Sequence, residues 1–475
     1  MPQCLRIQLL MENYGQFVNQ VVDSTRDYVF VRDEDGVLII KPNKVHYLNR
    51  TGVELLGKMY SLPQGQSYLA VKDVANNYGV KEEDVAKDAR RLLETILELL
   101  KSPECMPVQV KTTSFGSHKR ELPVLSEIAL TYRCQNKCVF CYASSPERGK
   151  ALPGMTTEQV KKVLLTIKND AKVPTVSLTG GEPTLRKDIV EIVSYAKSIG
   201  LRVNLITNGI MCGVTDLPYR LKEAGLDSAQ VSLESSIPEI HDRVVGHPMA
   251  FKKTVDGFKK LKSLGIHTHI NTTICKDNIS YIDQLPKFAK EELGLEYQSM
   301  NMVIRTGHAQ DHPDEVGYTE IARVLPKIKS ECKKAGIKLV WYSPMPYCII
   351  NTVAEGIGGT SCAASDGLLS VAPDGSILPC SSFENGVGNL LKEDFRDIWF
   401  NRQSLYFRKK EFVPPVCNDC DKKNICCGAC PLYWDNRGCF DELGRGRKII
   451  PELIWKAKRK YVGKSRPVGG VADEA

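Results

Sequence analysis

The chain has 475 residues, room for roughly three domains at about 150 residues each. Its 64 Lys+Arg against 56 Asp+Glu give a formal charge of +8, and 42% hydrophobic with 25% charged residues excludes collagen-like, disordered and membrane-spanning classes. No apolar run approaches the about 18 residues that a bilayer crossing needs, and the N-terminal MPQCLRIQLLMENYG lacks the basic-then-apolar plan of a signal peptide. A cytoplasmic address without membrane association is therefore expected. Against it stand 17 cysteines, which in a reducing compartment point to metal or redox chemistry rather than to a disulfide framework.

In chain order, residues Tyr28 to Ile40 read as a hairpin, with Val29, Val31, Val37 and Ile39 alternating around the turn DEDG. A third strand fits Val45 to Leu48. Three helices follow: one near Thr51 with Val53, Leu55 and Leu56, one from Val71 to Tyr78 stopped by Gly79, and one from Glu82 to Leu100. The last carries Val85, Ala89, Leu92, Leu93, Ile96 and Leu100 on one face. This order suits a winged helix, but residues 1–100 hold 12 Lys+Arg against 14 Asp+Glu, the wrong charge for a nucleic-acid-binding face. The unit resembles the PqqD-like peptide-recognition domain. That resemblance implies capture of a precursor peptide, which adds a strand at the edge Lys44 to Asn49 and packs on the helix from Glu82. The alternative is a winged helix that only caps the rest of the chain.

The central section alternates strands with helices. Apolar runs at Ile128–Leu130, Thr175–Leu178, Val203–Ile206, Ala229–Leu233, Ile270–Ile274 and Met300–Ile304 make six βα steps. Helices fit Thr157–Ile167, opened by the capping box Thr156-x-x-Gln159, and Asp188–Ile199, stopped by Gly200. Such alternation favours a parallel sheet, open or closed into a partial barrel, with its chemistry at the carboxyl ends of the strands. The first strand runs into Cys134, Cys138 and Cys141. Three thiolates in a tight loop can hold three irons of a cubane and leave the fourth without a protein ligand; a zinc site would want a fourth ligand nearby, and no His or Cys follows before Cys212.

This CxxxCxxC, with Phe140 before the last cysteine, resembles the radical S-adenosylmethionine (SAM) family. There the open iron of a 4Fe-4S cluster chelates SAM, and an electron from the cluster cleaves it to a 5′-deoxyadenosyl radical. Other strand ends match the family's patterns. Gly180-Gly181-Glu182-Pro183 matches GGEP, whose carboxylate and backbone approach the SAM amino group. Thr207-Asn208-Gly209 matches TNG, and Ser232-Leu233-Glu234 ends the fourth strand near where the ribose lies. His241-Asp242-Arg243 resembles a following HD segment; the usual arginine before the glycine is Val245 here, which leaves Arg243, Lys252 and Lys253 as partners for the SAM carboxylate. Singly, each of these polar residues is an ordinary capped loop. Gly356-Ile357-Gly358 and Gly463-Lys464-Ser465 lack the remaining glycines of nucleotide-binding loops and are loop glycines.

Near the C-terminus, Cys362-x12-Gly375-x4-Cys380 precedes Cys417-x2-Cys420-x5-Cys426-x3-Cys430 and Cys439. A zinc ribbon accounts for part of this spacing, but seven cysteines suit two iron–sulfur clusters better. The string resembles the SPASM domain of radical SAM enzymes that act on peptides and proteins. The resemblance implies an outer auxiliary cluster on Cys417, Cys420, Cys426 and Cys439 and an inner one on Cys362, Cys380 and Cys430. Where some relatives supply a fourth inner cysteine this chain has Leu368, so that iron is open or takes Cys348, favoured from SPMPYC, or Cys427. Residues 441–475, with 9 positive against 5 negative charges, end in a short apolar helix at Ile449–Trp455 and a loose tail.

The expected architecture is α/β: a partial (β/α)6 TIM barrel over residues 120–345, an N-terminal winged-helix-like domain over 1–105, a cysteine-rich SPASM domain over 346–445 and a basic tail over 446–475. The expected function is radical modification of a ribosomally made peptide or protein, such as a crosslink. It would use SAM, the SAM-binding 4Fe-4S cluster, two auxiliary iron–sulfur clusters and a reductant such as ferredoxin or flavodoxin. The alternative is maturation of a tetrapyrrole or metal cofactor. Sulfatase maturation fits less well, since Ser381 follows Cys380 where those relatives have an acid.

Overall fold

The computed structural model describes residues 3–40, 44–101, 111–112, 121–145, 147–311, 315–358 and 361–443, with the side chains of 3–13, 44, 101, 111, 112 and 311 left out. The basic tail and its expected helix lie outside the described residues. Two compact units emerge: residues 1–114 with 119–125, and residues 115–118 with 126–475.

In the first unit, β1 (Val29–Arg32) and β2 (Val37–Ile40) form the expected hairpin, Arg32 opposite Val37 and Val29 opposite Ile40. Its turn ends at Gly36, whose φ of +66° is costly for any residue with a Cβ. β3 (Lys44–Tyr47) extends the sheet. Helices Arg50–Ser61, Leu69–Tyr78 and Glu82–Lys101 follow where the periodicity puts them. Asn49 caps the first, its Oδ1 accepting the Gly52 N–H at 2.8 Å. Gly79 ends the second at φ +61°.

Two features of this unit depart from the sequence reading. A helix, Gln3–Thr25, precedes the hairpin, and its Tyr14, Val18, Val21 and Val22 are buried in one core with Leu38, Ile40, Leu56 and Leu93. Their spacing is helical, yet the stretch carries no cap signal. The edge at β3 is also occupied: β4 (Lys111–Thr112) pairs with it antiparallel, His46 opposite Thr112 and Tyr47 opposite Lys111.

In the second unit, β5 (Leu125–Thr131), β6 (Thr175–Gly180), β7 (Arg202–Thr207), β8 (Ser228–Ser232), β9 (His267–Ile274), β10 (Tyr297–Met302) and β11 (Lys338–Trp341) pair in parallel in that order. The first six are the expected strands. β11 makes a seventh, and it escaped the pattern because only Leu339 and Trp341 of its four residues are buried. The capping box at Thr156 forms as read, with Gln159 N–H on Thr156 Oγ1 at 3.3 Å and Thr156 N–H on Gln159 Oε1 at 2.9 Å.

Beyond β5 the sheet continues into the cysteine-rich region through β12 (Leu368–Val371), β13 (Ser376–Leu378) and β14 (Gly388–Asn389), giving ten strands among the described residues. β12 and β13 are an antiparallel hairpin turned at Gly375, φ +84°. The glycine of the Gly-x4-Cys pattern is thus the turn that aims β13 at Cys380. Glu127 of β5 accepts the Ser370 Oγ–H of β12 at 2.7 Å, so the cysteine-rich region is built onto the parallel sheet, and the two fall in one compact unit.

Candidate active site

The cysteine loop starts where β5 ends. Lys137 N–H and Val139 N–H donate to Val245 O and Val244 O at 2.9 and 3.0 Å, tying the loop to the end of helix Pro238–Val245. Two sulfurs accept backbone hydrogens, Cys134 Sγ from Asn136 N–H and Cys141 Sγ from Ser145 N–H, both at 3.4 Å. Burial pushes the Cys134 thiol up to about 12, helped by the Glu182 carboxyl, and holds Cys138 well above the usual thiol range. Thiols so held are protonated, and binding iron must expel those protons.

The glycines of GGEP have a tighter role than approach to a ligand. Gly181 N–H donates to Thr131 O at 2.7 Å and Glu182 N–H to Arg133 O at 2.9 Å. A Cβ on Gly180 would stand 2.1 Å from Thr131 O, and one on Gly181 2.6 Å from Arg133 O and Tyr132 O. Both glycines let β6 close directly onto the backbone that leads into Cys134.

Glu182 is fully buried. Its Oε1 accepts from Thr184 N–H at 3.0 Å, from the Thr184 hydroxyl and from Thr207 Oγ1 at 2.7 Å, and its Oε2 accepts Asn208 N–H at 2.8 Å. Burial raises its pKa against the pull of these bonds. The carboxylate therefore fastens the TNG turn at the end of β7 and does not line the cavity described next.

A cavity of about 140 Å³ opens over the strand ends, lined by the three loop cysteines, Phe140, Gly180, Gly181, Asn208, Ser232 and Glu234, among others. Glu234 is buried, accepts Thr273 N–H at 2.8 Å and is pushed up to about 8 by burial. His241 lines the same cavity. Its Nδ1 accepts the Glu234 N–H at 3.1 Å, and burial pushes the ring down to about 4, so it is neutral with its proton on Nε2. Asp242 caps the next helix, accepting Met249 and Phe251 N–H at 2.7 Å each. Arg243 is not among the lining residues; its side chain is 55% exposed and pairs with Asp277 at 3.7 Å.

Three polar atoms of lining residues are buried without a partner: Asn136 Oδ1, Ser145 Oγ and His241 Nε2. Each such orphan costs roughly 1–3 kcal/mol, which a polar ligand in the cavity would recover. The donor set thus fits a cluster with a polar organic ligand beside it. Among the described residues no three His, Cys, Asp or Glu side chains stand close enough to share one metal ion, a closeness a cubane does not need because its thiolates bind different irons. The motif reading did not single out Asn136 and Ser145. Asn136 lies between two cluster cysteines, which was the available signal.

The C-terminal cysteines gather in two groups. Cys380 is held high by burial and then by its neighbours Cys362 and Cys430, and Cys430 N–H donates to the Tyr318 hydroxyl at 3.1 Å. Cys427 is buried beside Cys362 against Tyr406, Phe407 and Phe412. Cys417 packs against the same apolar cluster, and Tyr347 N–H, next to Cys348, donates to Cys426 Sγ at 3.3 Å.

Residues 128–289 match the sequence model of the Radical SAM superfamily, and residues 362–421 that of SPASM, an iron–sulfur cluster-binding domain. The chain is similar to the AdoMet-dependent heme synthase of Methanosarcina barkeri (strain Fusaro / DSM 804), 31% identical over 321 residues that make 64% of this chain and 90% of that protein. It is similar also to the PqqA peptide cyclase of Ruegeria pomeroyi, 29% identical over 333 residues, 66% of this chain and 85% of that one. Among solved structures, Streptococcus suis SuiB bound to precursor peptide SuiA superposes with TM-score 0.64 at 17% identity, covering 86% of this chain and 95% of SuiB. Native anSMEcpe with bound AdoMet gives TM-score 0.51 at 18% identity over 66% of this chain and 91% of that one. With a cysteine loop at the mouth of a parallel sheet and a relative matched along nine-tenths of its length, the chain belongs to the radical SAM superfamily, as an enzyme that uses SAM on a 4Fe-4S cluster and carries auxiliary iron–sulfur clusters in a SPASM domain.

Proposed function

We propose that this enzyme modifies a ribosomally made precursor peptide or protein, installing a crosslink or a related bond. The reach of the SuiB likeness carries the reading. It covers 86% of the chain, more than the second unit can supply, so the shared fold extends into the N-terminal unit, in a protein solved with its precursor peptide. In this reading residues 1–105 are a PqqD-like capture domain, residues 120–345 a partial barrel, and residues 346–445 the auxiliary-cluster domain.

Cys134, Cys138 and Cys141 would hold the SAM cluster, with SAM in the cavity against Phe140, Gly180, Gly181, Asn208, Ser232 and Glu234. When bound, that cluster supplies the electron that cleaves SAM to a radical able to take hydrogen from an unactivated carbon. The orphaned atoms of Asn136, Ser145 and His241 orient polar groups of the ligand. Glu182 positions Asn208 from behind. Cys362, Cys380 and Cys430 would hold the inner auxiliary cluster and Cys417, Cys420, Cys426 and, by pattern, Cys439 the outer one, as stations for the electron that leaves the substrate. A ferredoxin or flavodoxin would reduce the enzyme.

The test uses the full reduced enzyme with SAM and short peptides encoded beside its gene, read by mass spectrometry. A peptide that loses two hydrogens, dependent on Cys134, supports the reading. The second reading, tetrapyrrole or metal-cofactor maturation, is favoured by the 31% identity to a protein named heme synthase. Turnover of a tetrapyrrole with none of any peptide selects it.

A further inference from the structure

Lys410 occupies a position that is unfavourable for a lysine in two ways. It follows the helix Arg402–Arg408 just beyond the cap residue Lys409, with φ +56°. That left-handed position after a helix is ordinarily glycine's, because a Cβ strains it. The side chain is also only 6% exposed, and its ammonium pairs with the fully buried carboxylate of Asp366 at 2.8 Å. Desolvation of two such charges cancels much or all of their attraction, so stability explains neither the strain nor the burial.

A second bond ties the ammonium to a cluster cysteine. Lys410 Nζ donates to Cys362 O at 2.6 Å. Covalent geometry keeps that oxygen within about 5 Å of its own residue's sulfur, so the positive charge stands within about 8 Å of Cys362 Sγ. Cys362 is buried with Tyr406, Phe407, Phe412 and Cys427, surroundings that screen a charge far less than water does. Another buried cation holds the same segment: Arg408 donates to Ser365 O at 3.4 Å and to Trp399 O at 2.7 Å. Residues 362–366, CAASD, thus bring one carboxylate to two cations.

We propose that Lys410 is a fixed positive charge that raises the reduction potential of the inner auxiliary cluster, with Asp366 as the counter-charge that moderates it. The inference rests on the ligand set proposed above, in which Cys362, Cys380 and Cys430 hold that cluster. Reduction adds one negative charge to a cluster, and net charge, hydrogen bonding and burial set its potential. A cation held beside it in an apolar pocket favours the reduced state. A raised potential suits a cluster that takes an electron from the substrate.

The test starts from the full chain carrying Cys134→Ala, Cys138→Ala and Cys141→Ala, reconstituted without oxygen, so that only auxiliary clusters remain. Its EPR spectrum is followed through a redox titration, and the signal that Cys380→Ala abolishes is the inner cluster's. Lys410→Met, and Lys410→Gly, which also relieves the backbone, should each lower the inner midpoint by ~59 mV or more, a tenfold fall in the ratio of reduced to oxidised cluster. Lys410→Arg keeps the charge and should stay within that limit, whereas Asp366→Asn should raise the midpoint. Opposite shifts from the two partners are the mark of a charge; a loosened pocket would move both the same way. An inner midpoint unmoved in both neutral lysine variants, or not raised in Asp366→Asn, overturns the proposal. Where a variant fails to hold the inner iron, the shift in the other partner's variant decides alone. If Cys380→Ala removes neither iron nor signal, the inner ligand set itself fails and the proposal falls with it; full iron with an unmoved midpoint sinks the charge effect alone.

Discussion

Glu182 shows how a motif residue can tie together the backbone around a site. Its carboxylate collects the Thr184, Thr207 and Asn208 donors, so Glu182→Ala strands at least two buried donors at roughly 1–3 kcal/mol each. Urea unfolding of the apoprotein should record a loss of about 3 kcal/mol or more; a loss under about 1 kcal/mol would mean that the turn finds other acceptors. His269 makes a prediction about pH. It is buried, its Nε2 lies 3.3 Å from Gln230 Oε1, its Nδ1 has no partner, and burial, with His267 nearby, pushes it down to about 4 from 6.5. The folded pKa is the lower one, so the stability that neutral His269 allows is present above about 6.5 and is lost as pH falls toward about 4. The full effect is roughly 3 kcal/mol. His269→Gln should flatten the stability profile between those limits, and an unchanged acid slope would show that other groups set it.

Elements meet at this site through glycines, and two of them can be tested separately. Gly181→Ala would push a methyl into Arg133 O and Tyr132 O, displacing the loop that carries Cys134. The reconstituted protein should lose ~4 irons per chain, one cubane's worth, while keeping auxiliary iron; a full complement of iron would show that the loop yields without cost. Gly257 lies inside the helix Ala250–Ser263, where alanine ordinarily gains up to about 1 kcal/mol. Here its Cβ would stand 2.1 Å from Gly209 O, and a Cβ on Gly213 equally close to Lys253 O. The clash outweighs the helix propensity, so Gly257→Ala should lower stability by more than about 1 kcal/mol and weaken SAM binding through the Asn208–Gly209 turn. A gain in thermal stability would contradict the close approach of this helix to the Gly209–Gly213 segment.

At the scale of the whole molecule, the capture role proposed for the N-terminal unit meets an edge already taken. The β3 edge expected to receive a precursor pairs with β4, so a peptide adding there must displace Lys111–Thr112. Because proline has no N–H to give a ladder, the double variant Lys111→Pro, Thr112→Pro should free the edge and tighten precursor binding, measured by fluorescence anisotropy on the full chain. Unchanged affinity would place the peptide elsewhere. The parallel sheet and the hairpin of the cysteine-rich region meet at β5 and β12, so Glu127 on Ser370 links the SAM-cluster strand to the auxiliary region.

By itself the sequence determined what is local. The three cysteines at the first strand end, the glycines after the second, the capping box at Thr156 and the hairpin about Gly36 are legible because cluster size, strand pleat and turn geometry act over a few residues. Six strands were readable from apolar runs. The seventh, four residues long, and the helix Gln3–Thr25 depended on burial that no short window reports. Tertiary structure alone decided that Glu182 gathers the Thr184, Thr207 and Asn208 donors, that Arg243 pairs with Asp277, that Asn136, Ser145 and His241 have orphaned atoms at the cavity, and that Tyr347 meets Cys426 and Cys427 packs beside Cys362. Those pairings join residues far apart in the chain, such as Tyr347 and Cys426. They arise from how packed elements bring their ends together, and the spacing of cysteines along the chain carries no information about that.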